Sequence, residues 1–183
     1  MVKALVSACS EVTVRPETAT DHDAIYHVNA AAFGRPAEAD LVNALRRDNA
    51  LSLSLVAERD GQLVGHIAFS LVRVADEQNA FDAPALGPMA VLPMHQGQGI
   101  GSLLIEAGLA AMVEQGATIV FVLGHPTYYP RFGFVPAQRY GIECEFDAPA
   151  EVFMVCLLQE GALQEDATRR HAVVHYPPAF HDI

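Results

Sequence analysis

The stretch HQGQGIGSLL, residues 95–104, places glycines at 97, 99 and 101 and then runs straight into leucines. Glycine has the freest backbone of any residue and disfavours helix interiors. Three of them at the mouth of an apolar helical pattern mark a place where something approaches the main chain closely. The first turn of a helix carries N–H groups with no intrahelical partner, and the helix dipole adds partial positive charge there. A phosphate or pyrophosphate is the natural guest.

The bulk of the chain gives no other foothold to an anion. Its 183 residues include 22 acidic against 11 basic ones, a formal net charge of −11. Such a field repels nucleic-acid backbones and anionic membranes, so neither is expected as a partner. An anionic ligand must instead be held by a local device built from backbone dipoles. Hydrophobic content of 51% over this length fits one ordinary globular domain.

Around the glycines the pattern alternates between strands and helices. EVTVRP (11–16) reads as a first strand. TATDHDAIYHVNAAAFG (18–34) reads as a helix, with Thr20 and Asp23 as its capping box and Gly34 as its stop. RPAEADLVNALRRD (35–48) is a second helix, with Pro36 in the tolerated first turn. Residues 51–74 alternate on both sides of Asp60-Gly61, the signature of a hairpin. ADEQNAFDAPA (75–85) is expected as a polar connection into a fourth strand, LGPMAVLP (86–93). Past the glycines, Ile100, Leu103, Leu104, Ala107 and Ala111 share a helical face. ATIVFVLG (117–124) is a continuous apolar run suited to a buried strand. Strand, helix, strand in this order implies a parallel pair with a right-handed crossover. HPTYYPRFGFVPA (125–137) is a loop with at most a short helix, and EVFMVCLL (151–158) is a late strand before a tail. The class is α/β or α+β with a mixed sheet.

Three nucleotide-type readings compete for the glycines. A P-loop needs lysine before the serine, and here Gly101 precedes Ser102. A dinucleotide fingerprint needs GxGxxG in the first strand–helix turn of its domain, whereas this stretch is GQGIG with several elements before it. The third pattern, Q/R-x-x-G-x-G/A, is a coenzyme A pyrophosphate loop, matched by Gln96, Gly99 and Gly101.

Here the sequence resembles the GNAT superfamily of N-acetyltransferases, and within it the YhbS-like predicted acetyltransferases. LGPMAVLPMHQGQGIGSLLI, VLGHPTYYPRFGF and FMVCLL carry the resemblance, which runs from about Val12 to Leu158; the tail VVHYPPAF also looks like that branch. It implies a mixed, largely antiparallel twisted sheet with a central βαβ unit and flanking helices. The domain would span 12–159, with a tail over 160–183 packed on it. The fourth and fifth strands would splay, with the pantetheine arm of acetyl-CoA lying between them. Backbone groups of Met89, Ala90 and Val91 would pair with that arm, the Met89 N–H acting as oxyanion donor. Gln96, Gly97, Gln98, Gly99, Ile100, Gly101 and Ser102 would hold the pyrophosphate, with His125 and Tyr128 also against the cofactor. Gln96 stands where many relatives have arginine.

Acetyl transfer to an amine needs a neutral amine, a stabilised oxyanion and a proton for the departing thiolate. The resemblance assigns that proton to Tyr129, four residues before Gly133. The base is open between His125, His66, Glu77 and water. His125 follows the fifth strand, where the related pattern often has aspartate. His66 shares a strand face with Ala68 and Ser70, as a satisfied sheet histidine would. Asp76 and Glu77 could draw a cationic amine, and His95 touches the glycine loop. No HExxH or paired-cysteine spacing occurs, so no metal is expected.

The expected function is therefore transfer of acetyl from acetyl-CoA to a primary amine, small molecule or peptide, of cationic character. An acetyl-CoA-binding sensor is the alternative class, and a dinucleotide oxidoreductase fits the glycines poorly. A homodimer is compatible with either. Cys9, Cys144 and Cys156 are odd in number and far apart, the usage of a reduced compartment. Few apolar residues precede the VSAC at 6–9, so a cytoplasmic location is expected over export.

Overall fold

The computed structural model describes residues 11–163 and 172–183. The hairpin at Asp60-Gly61 forms its centre. Strands β2 (Leu51–Arg59) and β3 (Gln62–Ala75) pair antiparallel, and both turn residues adopt left-handed φ, 53° and 76°. That geometry matches the twist of the flanking strands. Strand β4 (Ala80–Val91) follows after only four residues. The connection expected over 75–85 is shorter because the Asp76 carboxylate accepts the N–H groups of Gln78 and Asn79, both at 2.7 Å, and closes a tight turn.

Strand β1 (Thr13–Pro16) adds to the outer edge of β2. Helix α1 (His22–Phe33) ends at Gly34, φ 70°, as the sequence predicts. Its entry differs from the expectation at Thr20 and Asp23. The capping pair is Thr18 and Asp21, two residues earlier, and a single 3-10 turn over Ala19–Asp21 leads into the helix. Arg15 fixes that choice by donating to Asp21 at 2.7 Å, an anchor Asp23 does not have. Helix α2 (Ala37–Arg47) starts directly after Pro36.

Helix α3 (Ile100–Glu114) connects β4 to β5 (Ile119–Leu123), and β4 and β5 run parallel. Its buried face is Ile100, Leu104, Ile105, Gly108 and Met112, while Leu103 is 42% exposed. The rotation from the expected stripe is set by Gly108, where an added Cβ would stand 2.6 Å from the Phe69 ring. Strands β6 (Phe134–Pro136), β7 (Ile142–Cys144), β8 (Phe153–Leu157) and β9 (Ala172–His175) complete the described sheet. The order is β1-β2-β3-β4-β5-β8-β6. β9 takes the edge of β3 beyond the end of β2 and pairs parallel with β7.

Alternation along β3 divides the core. Gly65 and Ile67 meet α3, whereas His66 points at α1 on the opposite face. His66 is fully buried, with Nδ1 accepting from Asn29 Nδ2 at 3.0 Å and Nε2 donating to Ser54 Oγ at 3.0 Å. The tautomer follows from its partners: Asn29 also donates to the Ile25 carbonyl, and the Ser54 hydroxyl donates to Glu17. Arg46 closes the chain by donating to Glu17 at 3.0 and 2.8 Å. One polar chain thus ties α1 and α2 to the sheet, and every His66 nitrogen is spent on it. His66 is consequently no base for a substrate.

Burial holds the His66 pKa down to about 4, with Glu17 opposing and Arg46 adding to the effect. Between about pH 6.5 and 4 the unfolded chain binds a proton there that the folded chain refuses, so stability falls as pH falls. The expected loss from this group between pH 7.5 and 5 is about 2 kcal/mol. Urea midpoints at the two pH values measure it. His66→Gln should be less stable at pH 7.5 but lose less on acidification than wild type.

Candidate active site

β4 and β5 pair at only two positions, Ala85 with Phe121 and Leu86 with Val122, and then part. A bulge assists the parting. β3 pairs Ile67 with Met89 and Phe69 with Leu86, so Gly87 and Pro88 together face the single Ala68. A bulge bends its strand and re-aims the groups beyond it. Past this point residues 89–91 line one wall of an open cleft of about 1080 Å³. Main-chain polar groups on such a diverging edge need partners from outside the pair.

The cleft runs onto the N-terminus of α3. Gly97 and Gly99 have φ of 72° and 85°, the left-handed region that favours glycine, and a Cβ at either would meet open space. Gly101 differs. It lies in the first helical turn, where a Cβ would stand 2.6 Å from the Tyr128 hydroxyl and 3.5 Å from the Met89 sulfur. Its requirement is room, not φ. Ile100, Gly101 and Ser102 begin the helix, so their N–H groups lack intrahelical acceptors, and all three residues line the cleft.

Gln96, the residue in place of arginine, is turned inward and donates to the Val91 carbonyl at 3.0 Å. Gln98 is turned away from the cleft, accepting from Arg59 at 2.7 Å and donating to the Met94 carbonyl at 3.1 Å. Its side chain belongs to the loop's scaffold and does not line the cleft. Arg59 Nη1 also lies 3.4 Å from His95 Nδ1, which puts a guanidinium behind the glycine loop. Sequence reasoning missed Arg59, which ends β2 about forty residues earlier in the chain and carries no motif.

Tyr128, Tyr129 and His125 line the wall opposite, beyond β5. The Tyr129 ring is packed on the bare backbone of Gly124, where a Cβ would stand 2.3 Å from Cε2. It also meets Tyr128 edge-on at 5.3 Å and Phe134 at 5.6 Å. Burial, and then Tyr128 beside it, push the Tyr129 phenol well above its ordinary pKa. It stays protonated at neutral pH, so it is not a phenolate base there and its proton is available to give. Arg131 stacks over the Tyr128 ring at 4.5 Å.

Of the other expected residues, Met89, Ala90, Val91, Gln96, Ser102 and His95 line the cleft, and Asp76 and Glu77 do not. The latter pair belongs to the far tip of the β3–β4 hairpin, about 30 Å along β4 from Met89. The acidic loop that suggested a cationic acceptor is therefore remote from the cleft. The opposite end of the cleft comes instead from Phe33, Arg35, Glu38, Phe146, Tyr176, Phe180 and His181. Their separation in the chain hid them, although the YPPAF run at 176–180 was a visible aromatic signal. Among the described residues no group of three or more His, Cys, Asp or Glu is placed to hold a metal ion. No helix among them is long and apolar enough to cross a membrane.

A parted parallel pair with a glycine-opened helix terminus at its mouth is the architecture of a protein that binds an extended, phosphate-bearing molecule. The chain belongs to the GNAT acetyltransferase family, whose domain model matches residues 13–137. It is 41% identical over 135 residues to YjhQ of Escherichia coli K12, covering 72% of this chain and 75% of that one. It is 36% identical over 151 residues to YhbS of the same organism, covering 82% and 89%. Both relatives are described as uncharacterized N-acetyltransferases. The crystal structure of Escherichia coli YhbS in complex with CoA superposes with a TM-score of 0.85 at 32% identity, covering 94% and 93% of the two chains. A GNAT acetyltransferase from Brucella melitensis in complex with acetyl-CoA gives 0.73 at 36% identity, covering 93% and 99%.

Gly124→Ala is expected to displace the Tyr129 ring and lower stability by about 1–3 kcal/mol, as overpacking does. A urea midpoint unchanged from wild type would show that the ring is not lodged against Gly124.

Proposed function

We propose that this chain transfers an acetyl group from acetyl-CoA to a primary amine by direct attack within a ternary complex. The observation that carries the reading is the parting of β4 and β5 directly before the glycine-opened start of α3. The edge supplies main-chain partners for the pantetheine amides. The helix N-terminus supplies donors for the pyrophosphate without any lysine. Tyr128 and Met89 bracket the passage between the two.

In this reading the Met89 N–H faces the thioester carbonyl, where a fixed donor stabilises the charge that develops on oxygen. The amine nitrogen forms its bond to the carbonyl carbon, the carbon–sulfur bond breaks, and the sulfur takes a proton from the Tyr129 hydroxyl. The elevated pKa of Tyr129 does not oppose this, because the leaving thiolate is desolvated in the same cleft and its proton affinity rises as well. His66 and Glu77 are out of reach, so the amine's own proton passes to His125 or to water. Residues 172–183 are read as part of the same unit, since β9 completes the β3 edge and the segment after it walls the cleft. The free thiols of Cys144 and Cys156 support a cytoplasmic setting.

Tyr129→Phe is expected to lower kcat by roughly 10²–10⁴-fold while CoA affinity and folding stability stay near wild type. Tyr128→Phe should be milder. If Tyr128→Phe abolishes turnover and Tyr129→Phe does not, the proton donor is the other tyrosine.

Gly99→Val and Gly101→Val should each weaken CoA binding severely, the first through backbone strain and the second through lost room. Gln96→Ala should do much less. Calorimetric titration with CoA decides this, and folded glycine variants with wild-type affinity would move the anchor elsewhere. CoA binding without turnover on any amine would favour the sensor reading instead.

A further inference from the structure

The cleft extends beyond the parted strands, and its far end has a chemistry of its own. Phe33 closes α1, Phe146 follows β7, and Tyr176, Phe180 and His181 follow β9. Phe146 lies 5.3 Å from Tyr176 and 5.2 Å from His181 between ring centroids, and Tyr176 lies 4.9 Å from Phe180. The 3-10 turn that carries Phe180, Pro178–Asp182, is seated through Ala179 against Leu41 and Leu45 of α2. Phe146, Tyr176, Phe180 and His181 are held against one another by packing and present a preformed apolar wall, and Phe33 lines the same cleft.

The charges at this end are already matched. Glu38 is the only side-chain carboxylate lining the cleft among the described residues, in a chain of net charge −11. Arg35 Nε donates to both of its oxygens, at 3.2 and 3.1 Å. Glu145, behind His181, accepts from the Tyr176 N–H at 2.6 Å, pairs with His175 at 3.0 Å and lies 3.4 Å from His181. Both carboxylates already have partners, so a second ammonium group would meet no unpaired side-chain charge at this end, and burying an unpaired charge is costly. Arg131 is stacked on Tyr128 at the other end, where the glycine loop lies.

We propose, building on acetyl-CoA-dependent N-acetylation, that the acceptor is a monoamine carried on an aromatic body, its ring received by Phe33, Phe146 and Phe180. The same environment prepares the nucleophile. An ammonium entering a cleft walled by aromatic rings, whose one side-chain carboxylate is already paired with Arg35, sheds its proton more readily than in water, which delivers the neutral amine the reaction needs.

The test compares 2-phenylethylamine with 1,4-diaminobutane as acceptors for the full chain, with acetyl-CoA saturating and CoA release as the readout. The aromatic amine should have a kcat/KM about tenfold or more above the diamine, the factor that burying a phenyl group supplies. Phe33 is 42% exposed, so its replacement leaves the core alone. Phe33→Ala should raise KM for the aromatic amine severalfold, with the diamine and CoA affinity unaffected. Phe33→Glu, which adds a free carboxylate, should reverse the preference. A wild-type preference for the diamine, or equal effects of Phe33→Ala on both amines, overturns the proposal. If neither amine is acetylated, N-acetylation of such amines fails as a reading, and calorimetry on the CoA-loaded chain still decides the site. Binding of 2-phenylethylamine alone upholds an aromatic-amine pocket; binding of the diamine alone, or of neither, overturns it.

Discussion

Parallel strands joined by a crossover helix normally pair along their length, and β4 and β5 do so for two residues only. Everything downstream depends on that short pairing. The Gly87-Pro88 bulge turns β4 away from register, and Pro88 has no N–H to offer a neighbour. The Tyr128–Tyr129 pair beyond β5 then occupies the wall where further pairing would lie. Main-chain groups are thereby left to a ligand that itself carries amides. The cleft exists because the sheet is incomplete, and α3 points its unpartnered N–H groups at the opening.

Rigid support on both faces lets the sheet tolerate the gap. On one side α3 approaches β3 so closely that Gly108 and Gly65 touch Phe69 and the leucine and isoleucine side chains of the helix itself. On the other, the chain of hydrogen bonds from Arg46 through Glu17, Ser54 and His66 to Asn29 fixes α1. α1 in turn places Phe33 on the cleft. Packing remote from the cleft thus sets the spacing of its walls. Charge is partitioned in the same way, with the net negative field carried by the surface while the cleft holds the Arg35–Glu38 pair and a second guanidinium, Arg131.

Local signals in the sequence were strong where a single residue decides backbone geometry. Asp60-Gly61 forms the hairpin turn, Gly34 stops α1, and Gly97 and Gly99 leave the main chain bare at left-handed φ where the sequence marks a close approach. Tertiary contacts overrode the pattern elsewhere. Asp21 caps its helix because Arg15 lies across from it on β1, and no periodicity encodes that. The face of α3 is set by Gly108 against Phe69, so a leucine that fits the helical stripe, Leu103, ends up exposed. The cleft wall at 89–102 comes from one contiguous stretch, so its residues could be read together from the sequence. The far wall joins residues 33, 146, 176 and 180, and only the fold brings them to one cleft.

Hydrogen–deuterium exchange with and without saturating CoA tests most directly whether the parted strands and the α3 terminus hold the cofactor. The predicted result is protection concentrated in amides 89–91 and 97–102, with little change in 76–79 at the hairpin tip. Uniform protection across the chain, or protection that spares 89–91 and 97–102, would contradict a cofactor held between β4 and β5.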